Sequence, residues 1–489
     1  MNKIYRLVWS CSLNQLVVAS ELATPRGKAS GGKSASRSVG TSKPLAGIMS
    51  ALLAIGGTGW ASSAQAQNAN CSAAPWDDYD FSASCMGLNA TASGTGATAL
   101  GSEATVTNGG GVAVGFDANS LGLNAIAMGF QAHSSAVNSI YLGARTAAGT
   151  GALAAGAIGI GTDVTAGATN AVAIGTQARG VGNQSIALGL GALAGNTGNP
   201  AVPNSIAIGV NSRSTAGFTV AIGQATNASA DSGTAVGNGS VASGISAASF
   251  GHNANSGAQN AVAVGFQAHS TGFNAIYLGA RSIAGTGALA SSAIAIGQDV
   301  TSSGISAIAI GTQSSASATN AVAVGPGAQT TGVGASALGS FANASGGNSA
   351  AIGSGANASG LNAFAGGRLA TASNEAATAV GNAAQAQGNS SLALGAQAIA
   401  VGTSTVAVGQ GAGAGSTIAN TGSVAVGIAA GTLVSGAQNT AMGGGIASDM
   451  RGAGSGVTGA RNVALGTGDG TVAYDATLDA SAGNLVKER

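Results

Sequence analysis

The sharpest chemical motif in the sequence is GKASGGKS, residues 27–34, where two glycines and a Lys-Ser pair stand at the spacing of a phosphate-binding loop. Such a loop needs a buried strand before it and a helix after it, so that backbone N–H groups and the helix N-terminus meet the phosphate. Here it follows Pro25 in a Ser/Gly/Lys-rich stretch, and neither element is expected. GSGVTG, residues 454–459, fits G-x-G-x-x-G, but a chain with 84 glycines produces that spacing by chance. His133, His252 and His269 lie apart, two of them at the same place in a repeated FQAHS, and read as solvent-facing repeat positions rather than metal ligands. Asp117, Asp163, Asp231 and Asp299 are scattered singly, without the facing carboxylate pair of a glycoside hydrolase, and there is no Gly-x-Ser-x-Gly elbow. The expectation is no catalytic, cofactor or metal site, and no enzyme.

The composition points away from an ordinary core. Of 489 residues only 3% are aromatic and 6% charged, and much of the 45% hydrophobic fraction is Ala. Ala contributes little against the ~1.5–3 kcal/mol of a buried Leu or Phe. The N-terminal stretch up to Ala66 is a different kind of segment. LAGIMSALLAI at 45–55 is an apolar run of export-signal length, AQA at 64–66 is a small-x-small cleavage site, and seven Lys/Arg precede them against the lone Glu21. Cleavage is expected between Ala66 and Gln67. From Gln67 onward nine Lys/Arg face fourteen Asp/Glu, a net charge of −5, so no basic face is left for nucleic acid. Cys71 and Cys85 would then lie in an oxidising compartment, where a disulfide between them is expected. The alternative is two free thiols in an N-terminal arm.

The elements that would position any site are set by repetition. NAVAIG at 170–175 returns as NSIAIG and NAVAVG. The Gly closing each unit falls at 101, 115, 129 and 143, at 161, 175 and 189, then at the same constant step of 14 from 209 to 279 and from 297 to 409, and last at 427, 443 and 466. The breaks are mostly insertions, such as two steps of 18 carrying GTGALA at Gly149 and Gly285. FQAHS at Phe130 and again at Phe266 opens two closely similar stretches. Ala alternating with Val, Ile or Leu is the period-two pattern of a short strand. The Asn five residues before the Gly suits a left-handed turn. The spacing predicts two strands of about five residues and two turns per unit, one coil of a solenoid. Roughly 24 coils stacked at ~4.8 Å would make a rod about 115 Å long. Ala would fill each narrow coil and the larger residues would form an apolar stripe outside, larger than soluble monomers expose. Identical chains packed side by side would cover it. A flat Thr ladder for ice, or Gly-Gly-x-Gly-x-Asp nonapeptides for calcium, is absent.

Two signatures carry a resemblance. MNKIYRLVWSCSLNQLVVASELA at residues 1–23 resembles the extended signal-peptide region of large type V secreted proteins of Gram-negative bacteria, and the N-S/A-V/I-A-V/I-G unit is similar to the head repeat of trimeric autotransporter adhesins. The resemblance implies an all-β, left-handed parallel β-roll assembled as a homotrimer with its apolar strands inside. It divides the chain into an extended signal peptide (1–66), an N-terminal cap with the disulfide (67–97), the head-repeat roll (98–466) and a tail (467–489). Val172, Ile174, Val262, Val264, Ile308 and Ile310 are expected to line the trimer axis or the roll interior, with Gly175, Gly265 and Gly311 making the turns. The implied function is multivalent attachment at the bacterial outer surface to host matrix protein, cells or abiotic surfaces, the export machinery being a partner during secretion. The other reading is a structural spacer or autoagglutinating filament without a specific ligand. No heptad stalk, neck or barrel-forming strands are read before Arg489, so a fragment or a partner-anchored head is expected. Arg145 and Arg281 in the repeated YLGAR, with Phe116, Phe130 and Phe266, are candidate surface contacts, although packing or repeat inheritance also explains them.

Overall fold

A computed structural model describes residues 5–10, 15–20, 83–199, 202–445, 452–466 and 485–487, the first two and the last by their backbone alone. The chain divides into two units, Met1–Ala64 and Gln65–Arg489. In the first, Tyr5–Ser10 pairs antiparallel with Gln15–Ser20. The phosphate-loop spacing at 27–34, the cleavage site at Ala66 and Gln67, and Cys71 lie outside the described residues.

The second unit is a parallel β-solenoid, and among the described residues it contains no helix. Each regular coil has one strand of three residues and one of two. Val172–Ile174 is a three-residue strand and Arg179–Gly180 the two-residue strand that follows it. Every strand pairs in parallel with its counterpart one coil on, in strict register: Val172 opposite Ile186, Ala173 opposite Ala187, Ile174 opposite Leu188. Two narrow sheets therefore run along the stack. The strands are shorter than the five residues expected because the tight turns between them take up the rest of the coil; Ala171 N–H and Ala178 N–H close these turns on Ala168 O and Gly175 O at 3.1 and 3.0 Å. Pairing begins with Ser84–Met86 against Thr98–Leu100, one coil before the expected start at 98. Cys85 lies in that first strand and is disulfide-bonded.

Why the unit ends in Gly follows from the stacking. Gly175, Gly265 and Gly311 sit just past the three-residue strand with φ of 121°, 131° and 119°, a region side chains avoid. A Cβ on Gly265 would collide with the carbonyl oxygen of Gly279 in the next coil, and one on Gly311 would stand 2.7 Å from the Gly325 carbonyl carbon. Conformation and close approach both require glycine. The Asn five residues earlier is left-handed as well: Asn170, Asn260 and Asn320 have φ of 56°, 56° and 57°. Neighbouring amides there also join, Asn260 donating to Asn274 at 2.8 Å.

The interior is a column of alanines. Ala171, Ala173 and Ala178 are fully buried, as are their equivalents in coil after coil. Two sheets so close admit little else, which is why a chain with few large side chains can fill this core. The largest of the other buried side chains are Tyr141 and Tyr277, fully buried at a strand position where most coils carry Ala.

Candidate interaction surface

With Ala inside, the larger strand residues face out. Val172, Val262, Ile308 and Ile310 are half-buried, and Ile174 and Val264 are each 37% exposed. Of the two places open to these six, the interior of the chain's own roll is not where they lie: Ala173, Ala263 and Ala309 occupy it, and the pleat turns each flanking residue the other way. In-register pairing aligns them into ladders, for example Ile158, Val172, Ile186, Ile206 and Val220. The result is a predominantly apolar face along the three-residue strands, interrupted in one ladder by Thr234, Ser336, Thr378 and Thr440.

The other side of the solenoid carries the turns, the two-residue strands and the inserted loops, two of which are alike. Residues 145–150 and 281–286 lengthen coils that are otherwise regular. Each loop is held by an aspartate of the next coil. Asp163 Oδ1 accepts from Thr146 N–H (2.6 Å) and Ala147 N–H (2.8 Å), and its Oδ2 accepts from the Thr146 hydroxyl at 2.8 Å. Asp299 does the same for Ser282 N–H, Ile283 N–H and the Ser282 hydroxyl. These donors, first the Thr146 and Ser282 amides, hold both carboxyls below their usual range. The loops also account for the buried tyrosines: each loop replaces the inward alanine of its turn, and the Tyr ring fills the space beside Val164 or Val300. Tyr141 O–H donates to Ala144 O at 3.0 Å and Tyr277 O–H to Ala280 O at 2.9 Å, while burial pushes both phenols up.

Before each loop stands a stacked ring pair on the surface, Phe116 with Phe130 (centroids 5.6 Å apart) and His252 with Phe266 (5.4 Å). His133 and His269 lie half-buried on the two-residue strands, their imidazoles kept below the usual value by desolvation and then by Arg145 and Arg281. Among the described residues no group of His, Cys, Asp or Glu is arranged to hold a metal. The G-x-G-x-x-G stretch has no helix after it among the described residues, and a Cβ on Gly454 would meet Ala441 inside the coil. Sequence reasoning missed Asp163 and Asp299 as loop anchors. The signal was their separation, which equals that of the GTGALA insertions at Gly149 and Gly285.

Two family comparisons bear directly on this architecture. Residues 1–50 match the extended signal peptide of the type V secretion system. The YadA head domain repeat matches over and over between residues 86 and 412, including 92–118, 166–192, 242–268, 302–328 and 372–398, and the matches together span more than half of the chain. The chain belongs to the YadA head-repeat family. Head repeats with such a leader are typical of trimeric autotransporter adhesins, a family that is not enzymatic in general. The matched stretches of this chain stop at residue 145 and resume at 166, then stop at 268 and resume at 302, so the two alike loops fall between them. No curated protein matches the chain.

Proposed function

We propose that the chain is the head of a surface adhesin of a Gram-negative bacterium, a homotrimer of left-handed β-rolls whose three-residue strands face a common axis. The observation that carries this is the long, predominantly apolar face formed by the two outward ladders of those strands, a surface too large for a soluble monomer to leave in water. Three copies related by a rotation axis bury it in a closed ring around that axis and turn the loops, ring stacks and two-residue strands outward. The trimer then presents each surface feature three times, and attachment to host matrix, cells or abiotic surfaces grows from many weak contacts through effective concentration.

Ile308→Asp tests the assignment of that face. An unpaired carboxylate facing the axis costs several kcal/mol in each of three chains. The exported chain, Gln67–Arg489, carrying this change is expected to lose both its association and its heat resistance. A variant as fully associated and as heat-resistant as the wild type would remove the six outward residues from the interface.

A further inference from the structure

Between the first inserted loop and the coils that follow it lies a cleft of about 440 Å³, lined by residues 147–150 of the loop and by Asp163, Thr165, Gln177 and Arg179. Arg179 is exposed, and among the described residues no hydrogen bond or ion pair engages its guanidinium. It stands directly beside Thr165 in the parallel register, one coil away. Asp163 stays ionised in the same lining, but both its oxygens are held by loop donors and it makes no ion pair with Arg179, whose fork is left open to a ligand. The side chains of Gln177 and Thr165 are likewise without partners among the described residues. The remaining wall is Ala147 and Ala148, the backbone of Gly149 and Gly191, and Thr150.

We infer that this cleft binds an acidic monosaccharide unit of a glycan. The guanidinium pairs with the sugar carboxylate through two parallel N–H donors, a geometry arginine offers and lysine does not. The Gln177 amide and the Thr165 hydroxyl meet ring hydroxyls, and the alanine methyls cover the C–H face of the ring. The volume suits one or two sugar units. No apolar pocket or aromatic anchor of the kind that holds a peptide side chain is present in the lining. The second loop supplies an internal control. Asp299, Thr301 and Gln313 repeat the first set beside that loop, but Ser315 stands where Arg179 would be and Ile283 where Ala147 would be. The inference deepens the adhesin reading and rests on it for the threefold presentation of the cleft.

The experiment titrates the exported chain with methyl β-glucuronide and, in parallel, with the neutral methyl β-glucoside, observed by saturation-transfer NMR. Binding is expected for the glucuronide only, weakened at least tenfold in Arg179→Gln, with stoichiometry rising from one to two per chain in the double variant Ile283→Ala, Ser315→Arg. Arg179 is exposed and Ser315 half-buried, and an unchanged circular-dichroism melt of each variant shows that the coils are intact. Equal binding of the two glycosides, or undiminished binding by Arg179→Gln, overturns the proposal. So does a Gly-Asp-Gly peptide that displaces the glucuronide at lower concentration, which would make the cleft a peptide site. Light scattering on the same sample separates the two ideas: a trimer that ignores the glucuronide sinks this inference alone, and a monomer that binds it sinks the trimer alone.

Discussion

The coils from 297 to 409 and those from 409 to 466 are built on opposite plans. In the first stretch the repeat glycines keep one constant step, both sheets persist, and the interior is mostly alanine with single buried hydroxyls, such as Ser302, Ser314 and Ser391, that bond within their own coil. In the second they fall unevenly, at 409, 427, 443 and 466, and the last of the two-residue strands, Ile399–Ala400, has already ended. The three-residue strands nonetheless continue in register, with Val424, Thr440 and Val463 aligned. Buried amides now join the alanines: Asn420, Asn439 and Asn462 are buried, together with Ser423, Thr432 and Ser455. Asn439 links its own coil to the next, donating to Gly436 O at 2.9 Å and Gly459 O at 2.8 Å and accepting from Asn462 N–H at 2.8 Å. Identical alanine layers fit one another in any order, so they stabilise a stack without choosing its register. A buried network with one matching partner does choose, because a shifted coil would strand its polar groups. The plain coils give length and the terminal coils fix where the stack is.

Substitutions can break this contrast, taken here from the largest expected effect to the smallest. Gly311→Ala forces a Cβ to 2.7 Å from the Gly325 backbone at a φ of 119°, and is expected to open its coil and both neighbours at a cost of about 3 kcal/mol or more. Because a solenoid unfolds by segments, amide hydrogen exchange along the chain is the measurement. Protection should fall around 297–339 and stay in the terminal coils. Asn439→Ala strands the Gly436 and Gly459 carbonyls and should cost ~2 kcal/mol, read as lost protection at 409–466 only.

Acid should act on the loops and spare the alanine stack. The Asp163 and Asp299 carboxyls are held below their unfolded value of about 3.9, so the stability they add is complete above that pH and is lost as pH falls through their lower folded values. Loop amides at 146–147 and 282–283 should therefore lose protection below about pH 4 while Ala-core amides keep theirs. Asn462→Ala should be nearly neutral, since its side-chain oxygen and nitrogen are buried without a partner and only its backbone joins the network. If it costs as much as Asn439→Ala, the network does not run as described.

Much of this architecture is legible in the repeat. The Gly and Asn spacing gives the turns because few residue types tolerate those backbone angles, and the alternation in AVAIG gives the inward and outward faces. A second left-handed position two residues after the Gly is not legible. It holds Asp117, Gln131, Gln177, Phe341 and Leu369, side chains that point outward and so leave the residue type free. The buried tyrosines are hidden for a different reason. YLGAR looks like a surface repeat until the loop is seen to have removed the alanine that would otherwise fill the space of the ring. The Asp163 anchor joins positions 16 and 17 apart in the chain, a distance set by coil pitch plus insertion, which the local sequence around the Asp does not carry.

The mass of the exported chain, measured by light scattering across a sizing peak shown to be β-rich by circular dichroism, tests the covered apolar face most directly. Three chains per particle are expected. A folded, β-rich monomer would contradict the trimer and leave the ladder of Val172, Ile186 and Ile308 exposed to water.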